Sequence, residues 1–595
     1  METPKVDRRK FLAGVAVAGA ASAVPATQGK EAAAAPAVKF PSAAAAAAES
    51  AVPAALTPAT GKPGSDFMVD VIKSLKIEYI ASNPASSFRG LQESIVNYGG
   101  NRQPEFLTCM HEESSVAMAH GYFKIAGKPI GVLCHGTVGL QHAAMALYNA
   151  WCDRVPIITI VGNIVDATKR RPGVEWLHTA QDVAALVRDF TKWDDLPASL
   201  PHFAESMVRA YKIAMTPPME PVVIVADGEM QEAPIKDGEP LSIPKFVAAA
   251  PPQGDTGAVR EAARLLAEAQ APVIVADRLA RTAAGMKLLV ELAETLNAPV
   301  VDQQGRMNMP TSHYLCQSER GRQLIGQADV VLGLELTDFW GTVNEHVDNP
   351  ERAQSPRIKA GTKLVSLGVG DLYTRANYQD FERFTAVDLA IAGDAEATLP
   401  ALIEAVKAAL TAERRAAVAG RADAMRKAHA AMRERARVAA TYGWDASPIS
   451  TARLSAELWA QIKDLDWSLV SPDRFLSAWP HRLWTMERHH QFIGGSGGAG
   501  VGYGMPAAVG AALANRAHGR ISININGDGD IMYAPGVLWT AVHHRIPLLT
   551  FVHNNRAYHQ EFMHLQRVAN RRNRGVDRAH IGTRIEEPFI EYARL

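Results

Sequence analysis

Asn526-Gly527-Asp528-Gly529-Asp530, followed later by the amide pair Asn554-Asn555, is the stretch whose reading decides the fold. Before it, residues 521–525 alternate β-branched side chains with Ser and Asn and then break on glycine, as a parallel strand does where it ends in a ligand loop. After it, residues 532–544 carry helical spacing, with Pro535 in the first turn where a missing N–H is tolerated. Residues 548–552 then read as a buried strand that delivers Asn554-Asn555 to the same edge. A glycine loop opening onto a helix N-terminus suits an anionic group, while Asp528 and Asn555 offer oxygen ligands to a hard cation. Diphosphate with Mg²⁺ would satisfy both halves. A calcium loop beginning at Asn524 is the weaker reading, because its twelfth position is Pro535 instead of a bidentate Glu.

These residues, together with Gly502-Tyr503-Gly504-Met505-Pro506-Ala507-Ala508 before them, resemble the thiamine-diphosphate enzymes and are similar to their acetolactate synthase-like branch. The resemblance covers most of the chain beyond residue 63. It implies an α/β fold of three doubly wound parallel-sheet domains: pyrimidine-binding, central and diphosphate-binding. It also implies a metal held by Asp528, Asn555 and the main-chain carbonyl of Ala557, with Gly527, Gly529 and Asp530 beside the cofactor. Val501 falls where the family places a bulky apolar support under the cofactor, and it is smaller than the Met or Ile expected there. Main-chain groups of Ala499 and Val501 would hold the pyrimidine.

The same chemistry needs an acid that can protonate the aminopyrimidine so that the C2 ylid forms, and a carboxyl removed from water has the raised pKa this requires. The segment His111-Glu112-Glu113 through Ala119-His120-Gly121-Tyr122 resembles the family's His-Glu segment and assigns the role to Glu112, with Glu113 at a variable position. Read without the resemblance, both acids would be an ordinary solvated helix start. Candidates for the substrate pocket are His135, Asn149 and Glu561, the last where a decarboxylase-like carboxylate would fall, with His559 in the same segment. Gly495-Ser496-Gly497-Gly498-Ala499-Gly500 satisfies a dinucleotide fingerprint, but the position about 20 residues on is near Arg520 where an acid is needed. Its glycines are better explained as letting the backbone approach the pyrimidine.

Around this centre the chain divides as follows. Residues 1–26 resemble a twin-arginine signal peptide, with Arg8-Arg9-Lys10-Phe11-Leu12 before a weakly apolar run, which implies periplasmic export. Residues 27–62 are an Ala/Pro-rich linker with too few large apolar side chains to build a core. A βα rhythm through 63–234, with strands at 79–81, 130–133, 157–161 and 221–226, predicts the pyrimidine-binding domain. A second rhythm through 254–408, with strands at 272–276, 299–302 and 328–333, predicts the central domain. Related synthases hold FAD there, but Glu335-Leu336-Thr337-Asp338-Phe339-Trp340 stands in place of the acidic and arginine-bearing stretch they use, which argues against flavin. Residues 409–446 form a connector whose Ala/Arg run to about 432 reads as a solvated helix, and 447–595 form the diphosphate domain.

The composition is 47% hydrophobic, with 62 basic and 62 acidic residues and a formal charge of zero, which describes a globular protein without a phosphate-backbone-binding surface. No run is long and apolar enough for a stable membrane span. Four scattered cysteines, 109, 134, 152 and 316, have no CxxC pairing and read as buried thiols. The functional expectation is carboligation or decarboxylation of a 2-oxo acid, as a homodimer or homotetramer in which Glu112 meets cofactor anchored by a partner chain. The alternatives are a thiamine-diphosphate lyase acting on a CoA thioester and a non-catalytic binding protein of the same fold. Residues 587–595 begin an amphipathic helix without a stop signal, so the last domain is expected to be C-terminally shortened and its sheet edge uncovered.

Overall fold

The computed structural model describes residues 42, 44–45, 60–347, 352–372, 383–472 and 474–585, the side chains of 474–477 excepted. The first sixty residues form a unit of their own, and nearly all of the expected signal peptide and linker lies outside the described residues. So does the helix expected at 587–595. Everything from Gly61 onward packs as one unit.

Its first sheet is wholly parallel and contains β1 (Tyr79–Ser82), β2 (Glu105–Thr108), β3 (Gly131–Cys134), β4 (Ile158–Asn163), β5 (Trp193–Asp195) and β6 (Val222–Asp227), in the order β2-β1-β3-β4-β6-β5. β3 and β4 are buried along their whole length, which is why they read as unbroken apolar runs. β2 and β5 are short and interrupted by polar residues, so the pattern search passes over them. The chain turns back on itself between β1 and β3, and at such a switch point the loops after the strands open a crevice. Helix α1 (Glu112–Ala126) rises from the loop after β2, capped by the His111 side chain, which accepts from Glu113 N. Helix α2 (Thr137–Cys152) rises from the loop after β3.

The second sheet has the order β13-β12-β9-β7-β8, built from β7 (Pro272–Ala276), β8 (Val300–Asp302), β9 (Val330–Leu334), β12 (Lys363–Gly368) and β13 (Leu389–Ala392), again all parallel. An antiparallel hairpin of β10 (Asn344–His346) and β11 (Gln354–Pro356) is inserted after β9. Helix α3 (Ala412–Ala440) lies within the expected connector and runs past the end at about 432 expected for its Ala/Arg run. It is less solvated than its composition suggests: Arg414 and Arg421 donate to Ala269 O, Arg433 to Leu483 O, and His429, Met432 and Ala436 are buried.

The third sheet, β14 (Trp467–Val470), β15 (Ile521–Gly527) and β16 (Leu549–His553), is parallel in sequence order. β16 has one neighbour among the described residues, and every residue in it is partly exposed. Helix α4 (Gly504–Arg516) packs on α1 with its backbone almost in contact: a Cβ on Gly121 would lie 2.0 Å from Ala507 O, and one on Gly510 1.9 Å from Met118 O. Only glycine allows that approach. Met505, Val509, Val537 and Ile546 therefore join the same apolar core as β3 and β4. The single helix expected at 532–544 is instead α5 (Asp528–Ile531), a turn, and α6 (Val537–His543). Pro535 and Gly536 occupy that turn, and the helical phase restarts after them. Helix α7 (His559–Arg571) follows β16 and buries none of its residues.

Candidate active site

A cleft of about 660 Å³ opens at the C-terminal ends of β14, β15 and β16. Ala499, Val501, Gly527, Asp528, Gly529, Asp530, Asn555, Ala557 and Glu561 all line it, as does His559. Asp528 Oδ2 accepts from Arg556 N at 2.8 Å, Asp530 Oδ1 from Gly502 N at 2.5 Å, and Asn555 Oδ1 from Ala557 N at 3.0 Å. Asn526 is 1% exposed, and its Nδ2 has no hydrogen-bond partner among the described residues. One expectation needs correcting. The helix that follows the glycine loop is only four residues long and carries Asp528 and Asp530 in its first turn, so by itself it repels an anion. A diphosphate can be received here only with a cation between it and the acids. The oxygens of Asp528, Asn555 and Ala557 suit a hard divalent ion, and on that chemistry the residues fit Mg²⁺ with a diphosphate.

The opposite lip is the 495–502 segment. It has no strand before it, so the dinucleotide reading fails on geometry as well as on the missing acid. Asn149, 1% exposed on α2, clamps the Gly500 peptide from both sides: Gly500 N donates to Oδ1 at 3.0 Å, and Nδ2 donates to Gly500 O at 3.3 Å. A Cβ on Gly500 would lie 2.1 Å from Met145 Sδ, so the backbone runs flat against α2. Ala499 is held at φ +55°, and Val501 is 45% exposed toward the cleft.

Glu112 and His135 stand at the switch point of the first sheet. Glu112 is 2% exposed; its Oε1 accepts from Asn83 Nδ2 at 3.4 Å, and its Oε2 lies 3.2 Å from His142 Nδ1. Asn83 follows β1, Glu112 follows β2 and His135 follows β3, so three strand ends converge on one carboxylate. A Cβ on Gly139 would lie 2.8 Å from both Glu112 Oε1 and His135 Cβ. His135 Nδ1 is 2.8 Å from Ser87 Oγ, and its Nε2 is 2.7 Å from His178 Nδ1. Burial, then the neighbouring His178, pull its pKa down. His111, Glu112 and His142 come close enough together to suggest a metal. However, the two imidazoles stack with centroids 4.4 Å apart and planes at 18°. Ring-nitrogen lone pairs lie in those planes, so stacked rings do not aim at a common ion.

The two halves meet through a residue that the sequence reading set aside. Glu113 Oε1 is buried without a hydrogen-bond partner, and a Cβ on Gly502 would lie 2.7 Å from it. Burial, then the charge of Asp530, push the Glu113 carboxyl up to about 7. The doubled acid at the start of α1 was the available signal. Gly502 N in turn donates to Asp530 Oδ1, so the Glu112 segment and the Asp528 loop adjoin in this chain.

Behind the lip lies a second centre, also missed. Asp153 Oδ2 is 2.7 Å from His120 Nε2 and pairs with Lys124, while Oδ1 accepts from Arg306 Nη1 at 2.8 Å and Arg278 Nε at 3.1 Å. Burial would raise this carboxyl, but Arg306, Lys124, His120 and Arg278 together hold it well below the usual range. Burial pushes His120 down to about 4 and Lys124 down to about 7. In the central domain, Glu335 follows β9 and is closed off by Arg154 Nη1 at 2.6 Å and by Ala395 N at 2.9 Å.

Three sequence profiles match the chain: the N-terminal TPP binding domain of thiamine pyrophosphate enzymes over residues 62–185, their central domain over 259–402, and their C-terminal TPP binding domain over 476–594. Benzoylformate decarboxylase of Pseudomonas aeruginosa is 26% identical over 498 residues, covering 81% of this chain and 87% of that protein. Acetolactate synthase isozyme 1 large subunit of Escherichia coli is 21% identical over 501 residues, 83% of this chain and 82% of its own length. Among solved structures, benzoylformate decarboxylase from Polynucleobacter necessarius superposes with a TM-score of 0.69 at 17% identity, over 90% of this chain and 91% of that one.

Proposed function

The chain belongs to the thiamine pyrophosphate enzyme family, and from that premise we propose that it is a thiamine-diphosphate- and Mg²⁺-dependent enzyme acting on a 2-oxo acid, by decarboxylation or by acetolactate synthase-like carboligation. The observation that supports the proposal is that Glu113, next to the 2%-exposed Glu112, packs on Gly502, whose N donates to Asp530 Oδ1 in the cleft lined by Asp528, Asn555 and Ala557. When bound, thiamine diphosphate supplies a nucleophilic carbon and an electron sink for breaking the bond beside the 2-oxo group. Glu112 exchanges a proton with the pyrimidine, and its burial keeps that proton from leaking to water. Asp528, Asn555 and the carbonyl of Ala557 hold the metal. Asn149 fixes the Gly500 peptide, so that the main chain of Ala499 and Val501 presents a rigid edge to the pyrimidine. His135 and Glu561 are the groups offered to the substrate.

Glu112→Gln should keep the fold and most cofactor affinity while slowing exchange of the cofactor C2 proton and turnover by about two orders of magnitude, the scale of general acid–base catalysis. An unchanged exchange rate measured by NMR would show the acid to be misassigned. A non-catalytic binding role is separated by titration calorimetry with cofactor, Mg²⁺ and then chelator, since binding that ignores the metal sinks the proposal. Screening 2-oxo acids and their CoA thioesters with product analysis divides decarboxylase, carboligase and thioester lyase. Assembly as a homodimer or homotetramer is read from native mass. With Glu112 acting on cofactor anchored by a partner chain, mixing Glu112→Gln with Asp528→Ala subunits after dissociation should restore some activity through hybrid sites, and no recovery from demonstrably mixed dimers would place both residues in one chain. Periplasmic location rests on Arg8-Arg9, and replacing both by Lys should leave the protein in the cytoplasm.

A further inference from the structure

Glu112 faces a difficulty that its burial creates. A carboxyl 2% exposed is shielded from stray protons, but it must also return to its starting protonation state after each turnover, and little water reaches it. One of its oxygens is held by Asn83, an amide that carries no exchangeable charge. The other lies 3.2 Å from His142 Nδ1, and the side chain of His142 is 55% exposed. His142 therefore spans the boundary, with one ring nitrogen on the buried carboxylate and the other, Nε2, without a protein hydrogen bond among the described residues. The ring is held there by its stack on His111, itself fixed as the cap of α1. His142 also lies on the face of α2 that carries Met145 and Asn149, one and two turns on, so it is part of the wall that holds the Gly500 lip.

We propose that His142 is the proton relay between solvent and Glu112. The inference rests on the role assigned to Glu112 above. In the relay, Nδ1–H gives its proton to Glu112 Oε2 while the Nε2 lone pair takes one from water, so one proton enters and one leaves, and no bond other than these N–H and O–H bonds changes. Imidazole suits this because its two nitrogens can be donor and acceptor at once. The titratable groups facing His142 are Glu112 from the start of α1, His111 from the preceding loop, and Glu113 beside them. The metal reading of the same cluster makes a different prediction, since a bound ion would occupy the nitrogen that the relay needs.

The test compares wild type, Glu112→Gln, His142→Ala and His142→Gln in the full chain with thiamine diphosphate and Mg²⁺, following C2 proton exchange by NMR. His142→Ala and His142→Gln should both slow exchange by about tenfold or more, the lower part of the general acid–base range. Imidazole added to the buffer should restore the Ala variant in proportion to its concentration and leave Glu112→Gln unmoved. Cofactor affinity by calorimetry should stay within about twofold in both His142 variants, because acid–base groups act on rate and not on uniform binding. A role limited to holding Glu112 in place predicts the opposite: the amide of His142→Gln can still donate to Oε2 and would recover the rate without imidazole. That recovery, or a wild-type rate in His142→Ala, overturns the relay. In the cofactor-free protein, ¹⁵N-histidine NMR in alkaline buffer should show a ring protonated on Nδ1 whose signal is absent in His142→Ala; an Nε2–H tautomer for that ring also overturns it. If Glu112→Gln itself exchanges at the wild-type rate, the reading of the site has failed, and that result is seen without altering His142.

Discussion

Asp153 and Asp528 are each 1% exposed, and each lies behind or before the same 495–503 segment, yet one is ringed by cations and the other faces more acid. Asp153 has Lys124, Arg278 and Arg306 around it and His120 at 2.7 Å. Its partners come from the first and central domains, with Lys124 also donating to Gly495 O of the third. Asp528 shares its turn with Asp530, and Asp530 faces a Glu113 already forced up to about 7. The buried Asp153 charge is matched by cations of the first and central domains and ties them together, whereas Asp528, Asp530 and Glu113 bring three carboxyls close to one another, which favours an incoming cation. The contrast sets a structural junction apart from a cleft whose acids suit a cation.

The largest expected effect breaks the first half of that comparison. Asp153→Asn leaves three buried cations around a neutral amide, and removing one partner of a buried ionic cluster costs about 3–5 kcal/mol. Urea unfolding should show that loss with or without cofactor. A loss under about 1 kcal/mol would mean that the cations are dispensable and that the junction is held by apolar packing alone.

Asp528→Asn tests the other half. The amide keeps an oxygen for Arg556 N, so the cofactor-free protein should hold its stability to within about 0.5 kcal/mol, as for a substitution that removes no packing. What should disappear is the gain from ligand. At cofactor and Mg²⁺ concentrations one hundred times Kd, the wild type gains about 2.7 kcal/mol, and the variant should gain almost none. If Asp528→Asn instead destabilises the cofactor-free protein as Asp153→Asn does, the two centres are of one kind and the comparison is wrong.

The sequence made one of these centres legible and hid the other for a physical reason. Asp528, Asn555 and Val501 sit in short glycine-marked segments where a ligand dictates both residue type and spacing, so a linear pattern survives. The Asp153 cluster is assembled from His120, Lys124, Asp153, Arg278 and Arg306, which the chain separates widely and which only packing unites. The first two parallel sheets were readable because their central strands are largely apolar, and the third because β15 alternates Ile with Ser and Asn before it breaks on glycine. β2, β5 and the β10–β11 hairpin were not, being short, partly polar or at an edge. The helix expected at 532–544 was misplaced because Pro535 is compatible with a first turn but also with the end of a preceding loop, and tertiary packing chose the second. Glu113 was set aside because a neighbour of the assigned acid carries no mark in one dimension; its burial against Gly502 exists only once α1 and α4 are in contact.

The smallest predicted effect sharpens the comparison, because its sign follows from a carboxyl raised by burial and then by the charge of Asp530. Glu113 has an ordinary pKa of 4.5 and a folded value of about 7, so between those values the folded chain holds a proton that the unfolded chain has released. The contribution of Glu113 to stability therefore falls as pH rises from about 4.5 to about 7 and then levels off. Glu113→Gln removes the titration, so the variant should match the wild type near pH 4 and exceed it near pH 8 by about 1–2 kcal/mol, less than the full shift would give because the side chain is only partly buried. Thermal unfolding of the cofactor-free proteins at the two pH values measures it. Adding thiamine diphosphate with Mg²⁺ should then shrink the variant's advantage, because an incoming cation adds positive charge near Glu113 and Asp530. A variant that keeps its full advantage over the wild type with ligand bound would mean that the cation sits too far from Glu113 to answer it, and that the acid pair serves some end other than binding.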